Sequence, residues 1–258
     1  MEASTQKNEL QNSTTSKKVV EIRNLEKNFG DQVVLKDVSL DLYERENLVI
    51  LGKSGSGKSV LIKCMVGLLK PDHGKINVLG YDVPSLSSEE LNEYRLQVGF
   101  SFQGSALYDS MTIRENLEFP LKRNLKIFDK EILDDRVITS LREVGLENSI
   151  EKKPAELSGG MKKRIGIART LILKPKIILY DEPTSGLDPI TAAEINELIL
   201  SMRDKHNTSS IIITHDISSA RATSDRVVAL FDGVNKLQGT FDELKATGDK
   251  ELVQFFNY

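Results

Sequence analysis

The run Gly52-Lys53-Ser54-Gly55-Ser56-Gly57-Lys58-Ser59 has the spacing G-x-x-x-x-G-K-[ST], and the chemistry of that spacing is phosphate binding. Glycines let consecutive backbone N–H groups curl around an anion. A helix that begins there adds partial positive charge at its N-terminus. Lys58 brings a full positive charge toward the outer phosphates of a nucleotide, and Ser59 offers a hydroxyl to Mg²⁺. A flexible Gly/Ser loop is the plain alternative. The strand expected before the motif and the helix expected after it argue against that.

Two further segments carry chemistry. Lys176–Glu182 reads as a hydrophobic strand ending in two acids, Asp181 and Glu182. One strand-end carboxylate suits Mg²⁺ held through its water shell. The next suits polarising a water for attack on phosphorus. Leu157-Ser158-Gly159-Gly160-Met161 is a Ser-Gly-Gly turn ahead of the helical run KKRIGIARTLIL. Such a helix N-terminus can bind an anion, although a serine cap on a glycine turn accounts for the five residues equally well. Acid-ended strands are common too. Their place behind a phosphate loop is what gives both segments meaning.

The elements that must hold these residues follow from the pattern. VVEIRNLEKNF and Val33–Leu51 read as several short antiparallel strands leading into a buried one, Asn47–Leu51. SVLIKCMVGLL has helical spacing and is stopped by PDHG. Strands are expected near Lys75–Leu79 and Val98–Phe102, and helices over most of 110–172. KIILY and SIIIT are short, β-branched and bounded by polar residues, as central parallel strands are. The helix Ile190–Lys205 between them makes a βαβ unit. VVALF and KLQGT suggest a hairpin, and the last 18 residues a helix. The polar residues 1–17 are expected to be a disordered tail.

The bulk properties agree. A chain of 258 residues holds one or two packed domains. A net charge of −3 supplies no basic field for nucleic acid. The single cysteine, Cys64, rules out an intrachain disulfide and a cysteine-rich metal site. Its place on the apolar face of the helix after the phosphate loop predicts a buried thiol. No apolar run approaches the roughly 18 residues of a membrane span. The polar N-terminus lacks the apolar core of a secretory signal, so the expectation is a cytoplasmic chain. Lys162-Lys163-Arg164 reads as a solvated helix face, and Glu89–Glu93 and Asp134–Asp135 as surface charge.

The order phosphate loop, Gln103, LSGGM, acid pair, SGLD and His215 resembles the ATPase subunit of ABC transporters, over about residues 19–240. That resemblance implies an α/β fold: a P-loop NTPase core with a mainly parallel sheet, an antiparallel β subdomain and an α-helical signature subdomain. It implies an ATP-binding domain over 18–241, a helical subdomain near 104–172 and a C-terminal helical extension over 242–258. It implies ATP and Mg²⁺ as ligands, with nucleotide contacts from Gly52 through Val60. Phe29 resembles the aromatic stacked on adenine; relatives with Tyr there differ by a hydroxyl, and Phe keeps the π-face. Gln103 resembles the glutamine that touches Mg²⁺ and senses the membrane partner. Ser59, Gln103 and Asp181 are then the metal-side set. Glu182 resembles the catalytic base, and His215 the switch histidine that contacts the γ-phosphate and acts with Lys58. Ser185-Gly186-Leu187-Asp188 resembles the loop through which two sites communicate. In this family Ser158, Gly159 and Gly160 of one chain face the ATP of a second copy, which implies a head-to-tail dimer.

The stretch from Gln103 through MTIRENLEFPL is similar to the ATPases of Mla-type lipid transporters. So are Asp188-Pro189-Ile190-Thr191 and the C-terminal VQFF. That implies membrane permease subunits, an MCE-domain protein, phospholipid cargo and a place at the cytoplasmic face of the inner membrane. A transporter for another substrate is one alternative. A soluble relative acting on DNA or ribosomes is another, although one cassette with a compact middle region does not fit it. A regulatory module without turnover is a third, and the intact Glu182 and His215 argue against it.

Overall fold

The computed structural model describes residues 17–256. All but the last residue of the expected tail lies outside them. Lys18–Phe29 (β1) and Gln32–Tyr43 (β2) form one long antiparallel hairpin rather than several short strands. Bulges bend it where the apolar alternation slips, between Ile22 and Lys27, and so hid its continuity in the sequence. Asn47–Leu51 (β3) follows, buried at every residue. It feeds the phosphate loop and the helix Lys58–Met65 (α1).

His73–Val78 (β4) and the short Tyr81–Asp82 (β5) complete the antiparallel part against β1. The helix Ser88–Gln97 (α2) is an element that charge alone concealed. Ser87 and Glu90 form a reciprocal capping box at its start. Its fully buried Tyr94 donates to Met65 O at 2.5 Å, and Arg95 donates to Val66 O and Gly67 O at 3.0 Å each. The α2 side chains therefore cap the carbonyl end of α1 and add a cation where the helix dipole is negative.

Val98–Ser101 (β6) starts the helical region. Ile113–Asn124 (α3), Lys130–Glu143 (α4) and Gly159–Leu171 (α5) share their own apolar cluster, centred on Leu117, Val137, Leu141 and Ile165. Ile177–Asp181 (β7), Pro189–His206 (α6) and Ser209–Thr214 (β8) form the expected βαβ unit, with both strands fully buried. A short helix, Ile217–Thr223 (α7), precedes the hairpin Arg226–Phe231 (β9) and Val234–Gly239 (β10).

The ten strands run in the order β5-β4-β1-β2-β10-β9-β3-β8-β7-β6. From β9 to β6 all neighbours are parallel. The antiparallel and parallel parts meet at β2 and β10, where the Asn235 side chain acts as an extra strand partner. It accepts from Ser39 N at 3.0 Å and donates to Ser39 O at 2.8 Å. One core lies between α1 and the antiparallel strands; another lies on the opposite face, under α6 and α7. The final segment is two short helices, Phe241–Ala246 (α8) and Lys250–Phe256 (α9), rather than one. Gly248, at φ +67°, separates them, and Leu244 and Leu252 tie both to the core. Among the described residues, no helix is long and apolar enough to cross a membrane.

Candidate functional site

The site forms at the C-terminal ends of three adjacent parallel strands, where open α/β sheets place their ligands. β3 delivers the phosphate loop, β7 the two acids, and β8 His215. Gly57 ends the loop at φ +99°, a backbone that only glycine adopts without strain, and so turns the chain into α1. Gly52 is buried, and Lys53, Ser54 and Gly55 are exposed. Ser56 Oγ is buried with no hydrogen-bond partner. Such a group in a phosphate loop is a donor waiting for an anion.

Lys58 is 5% exposed. Its Nζ donates to Gly52 O at 2.7 Å and Lys53 O at 2.9 Å, and lies 3.8 Å from Glu182 Oε1. Burial lowers its pKa, with Glu182 and Asp181 pulling the other way. Ser59 Oγ donates to Asp181 Oδ1 at 3.3 Å. This hydroxyl–carboxylate pair is all-oxygen, the donor chemistry that Mg²⁺ requires. Burial, joined by the like charge of Glu182, raises the Asp181 pKa against the pull of Ser59, Lys63 and Lys58. Glu182 is buried and sits at φ +48°. Its Oε2 is 2.9 Å from His215 Nδ1.

The fold thus brings Lys58, Ser59, Asp181, Glu182 and His215 to one place. Val60 continues α1, half-buried behind them. Gln103 is exposed and turns to Ser185, donating from Nε2 to Ser185 Oγ at 3.1 Å. Phe29 stands 45% exposed at the β1–β2 hairpin, with Lys27 Nζ 5.4 Å above its ring. Ser158 caps α5 by accepting from Met161 N, and Gly160 packs against Thr191 of α6. Ser158 and Gly159 are exposed.

The basic run after the signature departs from its solvated reading. Lys163 is half-buried and donates to Gln103 O at 2.6 Å and to Glu182 O at 3.1 Å. Arg164 pairs with Glu194 at 2.6 Å. The available signal is helical spacing: Lys163 and Gly166 lie three apart on the face turned toward the Gln103 loop. Cys64 is buried as expected, its thiol pushed up to about 11 by burial.

A family model described as ABC transporter matches residues 35–185, more than half of the chain. The chain belongs to the ABC transporter ATP-binding family. It is 40% identical over 238 residues to the probable ribonucleotide transport ATP-binding protein mkl of Mycobacterium leprae, covering 92% of this chain and 68% of that one. It is 37% identical to protein trigalactosyldiacylglycerol 3, chloroplastic, of Arabidopsis thaliana, covering 92% and 73%. It is 40% identical to the methionine import ATP-binding protein MetN of Clostridium tetani, covering 83% and 67%. Among solved structures, a dimeric ATP-binding cassette in a post-hydrolysis state bound to ADP and Pi aligns at TM-score 0.78 and 33% identity, covering 86% of this chain and 98% of that one. The protein cbiO1 from Clostridium perfringens, part of the ABC transporter complex cbiONQ, aligns at TM-score 0.82 and 30% identity, covering 93% and 94%. An α/β ABC cassette that binds and hydrolyses ATP is therefore the identity of the folded chain.

Proposed function

We propose that this ABC ATPase works as a head-to-tail pair with a second copy, with ATP held between the Lys58 loop of one and the Ser158–Gly160 helix end of the other. In this reading Lys58 and the loop N–H groups hold the outer phosphates. Ser59 and Asp181, with Gln103, would hold Mg²⁺, whose charge offsets that of the phosphates. Glu182 orients a water and accepts its proton. His215, bonded to the same carboxylate, stands beside the γ-phosphate. Hydrolysis removes the charge that both copies share, so the pair separates. Exposed Ser158 and Gly159, free to meet a second copy, support the trans arrangement.

The partner is a membrane permease that holds this ATPase at the cytoplasmic face of the inner membrane, and the cargo we infer is phospholipid, handled together with an MCE-domain protein. The observation that carries the docking reading is the ledge after Gln103. Tyr108 is 40% exposed, edge-on to Phe119 with ring centroids 5.0 Å apart, and covered by Arg169 at 4.8 Å. The Asn116 side-chain amide fixes it by bonding Tyr108 N and O at 2.8 and 3.1 Å. A rigid amphipathic ledge of this kind suits a short helix of a permease. The lipid assignment rests on the resemblance of the segment from Gln103 to Leu121, and on a relative named for a galactolipid. Purification from native membranes followed by lipid mass spectrometry tests it. A phospholipid-bearing permease complex is expected; a methionine, ribonucleotide or metal-ion permease in its place overturns the cargo.

A further inference from the structure

One face of α5, formed by Lys163, Gly166, Arg169 and Thr170, carries the chain from Gly99 to Tyr108. Lys163 Nζ holds Gln103 O. Gly166 has no side chain where Ser105 crosses; a Cβ there would stand 3.0 Å from Ser105 Cβ. The Arg169 guanidinium donates to Ala106 O and covers Tyr108. The Thr170 methyl fills the space over Gly99. The carried loop includes two consecutive left-handed residues, Ser105 at φ +62° and Ala106 at φ +48°. Such a shape persists only when its surroundings hold it. The Gln103 loop and the signature helix are therefore one mechanical body.

The same lysine reaches a second acceptor, Glu182 O. That turn is otherwise pinned by Glu182 N donating to Ile213 O at 3.0 Å and by Ser185 N donating to Glu182 O at 3.2 Å. The second anchor matters because Glu182 is left-handed and its position sets where its carboxylate points. Burial lowers the Lys163 pKa, opposed by Glu182 and Asp181, consistent with an ammonium spent on backbone carbonyls rather than on water.

We propose that Lys163 is a positioning residue that fixes the Glu182 turn to the body formed by α5 and the Gln103 loop, and so links each chain's signature end to its own catalytic carboxylate. The proposal rests on the sandwich reading above. Ser158 and Lys163 are about 7.5 Å apart along the helix axis. A pull on Ser158–Gly160 by the partner's nucleotide, or a push on Tyr108 by a permease, is delivered to Glu182 through one side chain. The two sites of a pair are thereby wired through each polypeptide, not only across the interface.

The test compares Lys163→Met and Lys163→Arg in the full chain, with Glu182→Gln as control. Steady-state ATP hydrolysis, ATP titration, thermal melting and ATP-dependent dimerisation are measured. In Lys163→Met, kcat falls roughly tenfold or more while KM for ATP stays within about twofold, because only the geometry of attack is lost. Lys163→Arg keeps a cation of similar reach and recovers most of the rate. If Lys163→Met turns over at the wild-type rate while Glu182→Gln dimerises with ATP, the link is overturned and the sandwich stands. If Glu182→Gln stays monomeric at saturating ATP, the sandwich fails and the link with it. Equal losses in both Lys163 variants, or losses that track melting, reduce Lys163 to a structural residue and overturn the proposal.

Discussion

His215 Nδ1 and Glu182 Oε2 lie 2.9 Å apart, while the other carboxylate oxygen of Glu182 faces Lys58 Nζ at 3.8 Å. The carboxylate proposed as the base is thus held between an imidazole and an ammonium. A terminal phosphate is an anion that competes for the same two groups. Its binding would draw Lys58 and His215 away and free Glu182 to meet water. Removing the imidazole takes away both a partner that places Glu182 before ATP binds and a group that would then turn to the phosphate. His215→Ala should lower kcat on the order of 10²-fold, with ATP affinity changed far less. Parallel calorimetry and turnover assays check this; a rate within about twofold of wild type would remove His215 from the mechanism.

Glu182→Gln keeps the side-chain volume and the His215 contact but cannot accept a proton. It should bind ATP and hydrolyse it at least roughly 10²-fold more slowly. The trapped nucleotide should hold two copies together. Size-exclusion chromatography with light scattering, with and without ATP and Mg²⁺, reads this directly. A monomer at saturating ATP contradicts the paired site.

Lys58→Ala removes the buried positive charge that bonds the loop carbonyls of Gly52 and Lys53. Charge-assisted hydrogen bonds contribute about 1.5–3 kcal/mol each, so ATP affinity should fall roughly 10- to 100-fold. Calorimetric titration measures it. Unchanged binding would assign the phosphates to the backbone alone.

The core of this fold was legible because β3, β7 and β8 are short, rich in β-branched residues and buried, and because the loop glycines stand between an expected strand and an expected helix. Glu182 and His215 were legible by order along the chain. Elements with polar composition were not. The helix α2 hid behind acids, and only the Ser87–Glu90 capping pair marks it. Tyr94 and Arg95 act on the end of α1 through a contact 29 residues distant, which no local pattern reports. Lys163 looked like a solvated charge because its acceptors are backbone carbonyls of Gln103 and Glu182. A carbonyl has no sequence signature, so only the folded chain reveals that partner. The C-terminal segment misled through length, since its apolar spacing runs past Gly248, where the backbone turns left-handed.

Asp181 offers a prediction in the opposite direction from the other three. Its carboxyl is raised by burial and by Glu182 beside it. For an acid the sign follows directly. The stability that goes with a raised folded pKa is present below the ordinary carboxylate value near ~4 and is lost as pH rises through the folded value. At neutral pH the ionised Asp181 therefore weighs against the fold in the absence of a cation. Asp181→Asn removes that charge and keeps an oxygen for Ser59. In EDTA and without nucleotide, the variant should melt above wild type by about 2–4 °C, a gain on the order of 1 kcal/mol. The gain should shrink as pH is lowered through the raised folded value, where the wild-type carboxyl takes up its proton. Adding Mg²⁺ and ATP should stabilise the wild type far more than the variant, and ATP turnover by the variant should collapse. Differential scanning calorimetry across pH, with and without the ligands, follows all of this. A variant that melts below wild type at pH 7 in EDTA would show that Asp181 is held as a favourable structural charge rather than as a strained ligand for the cation.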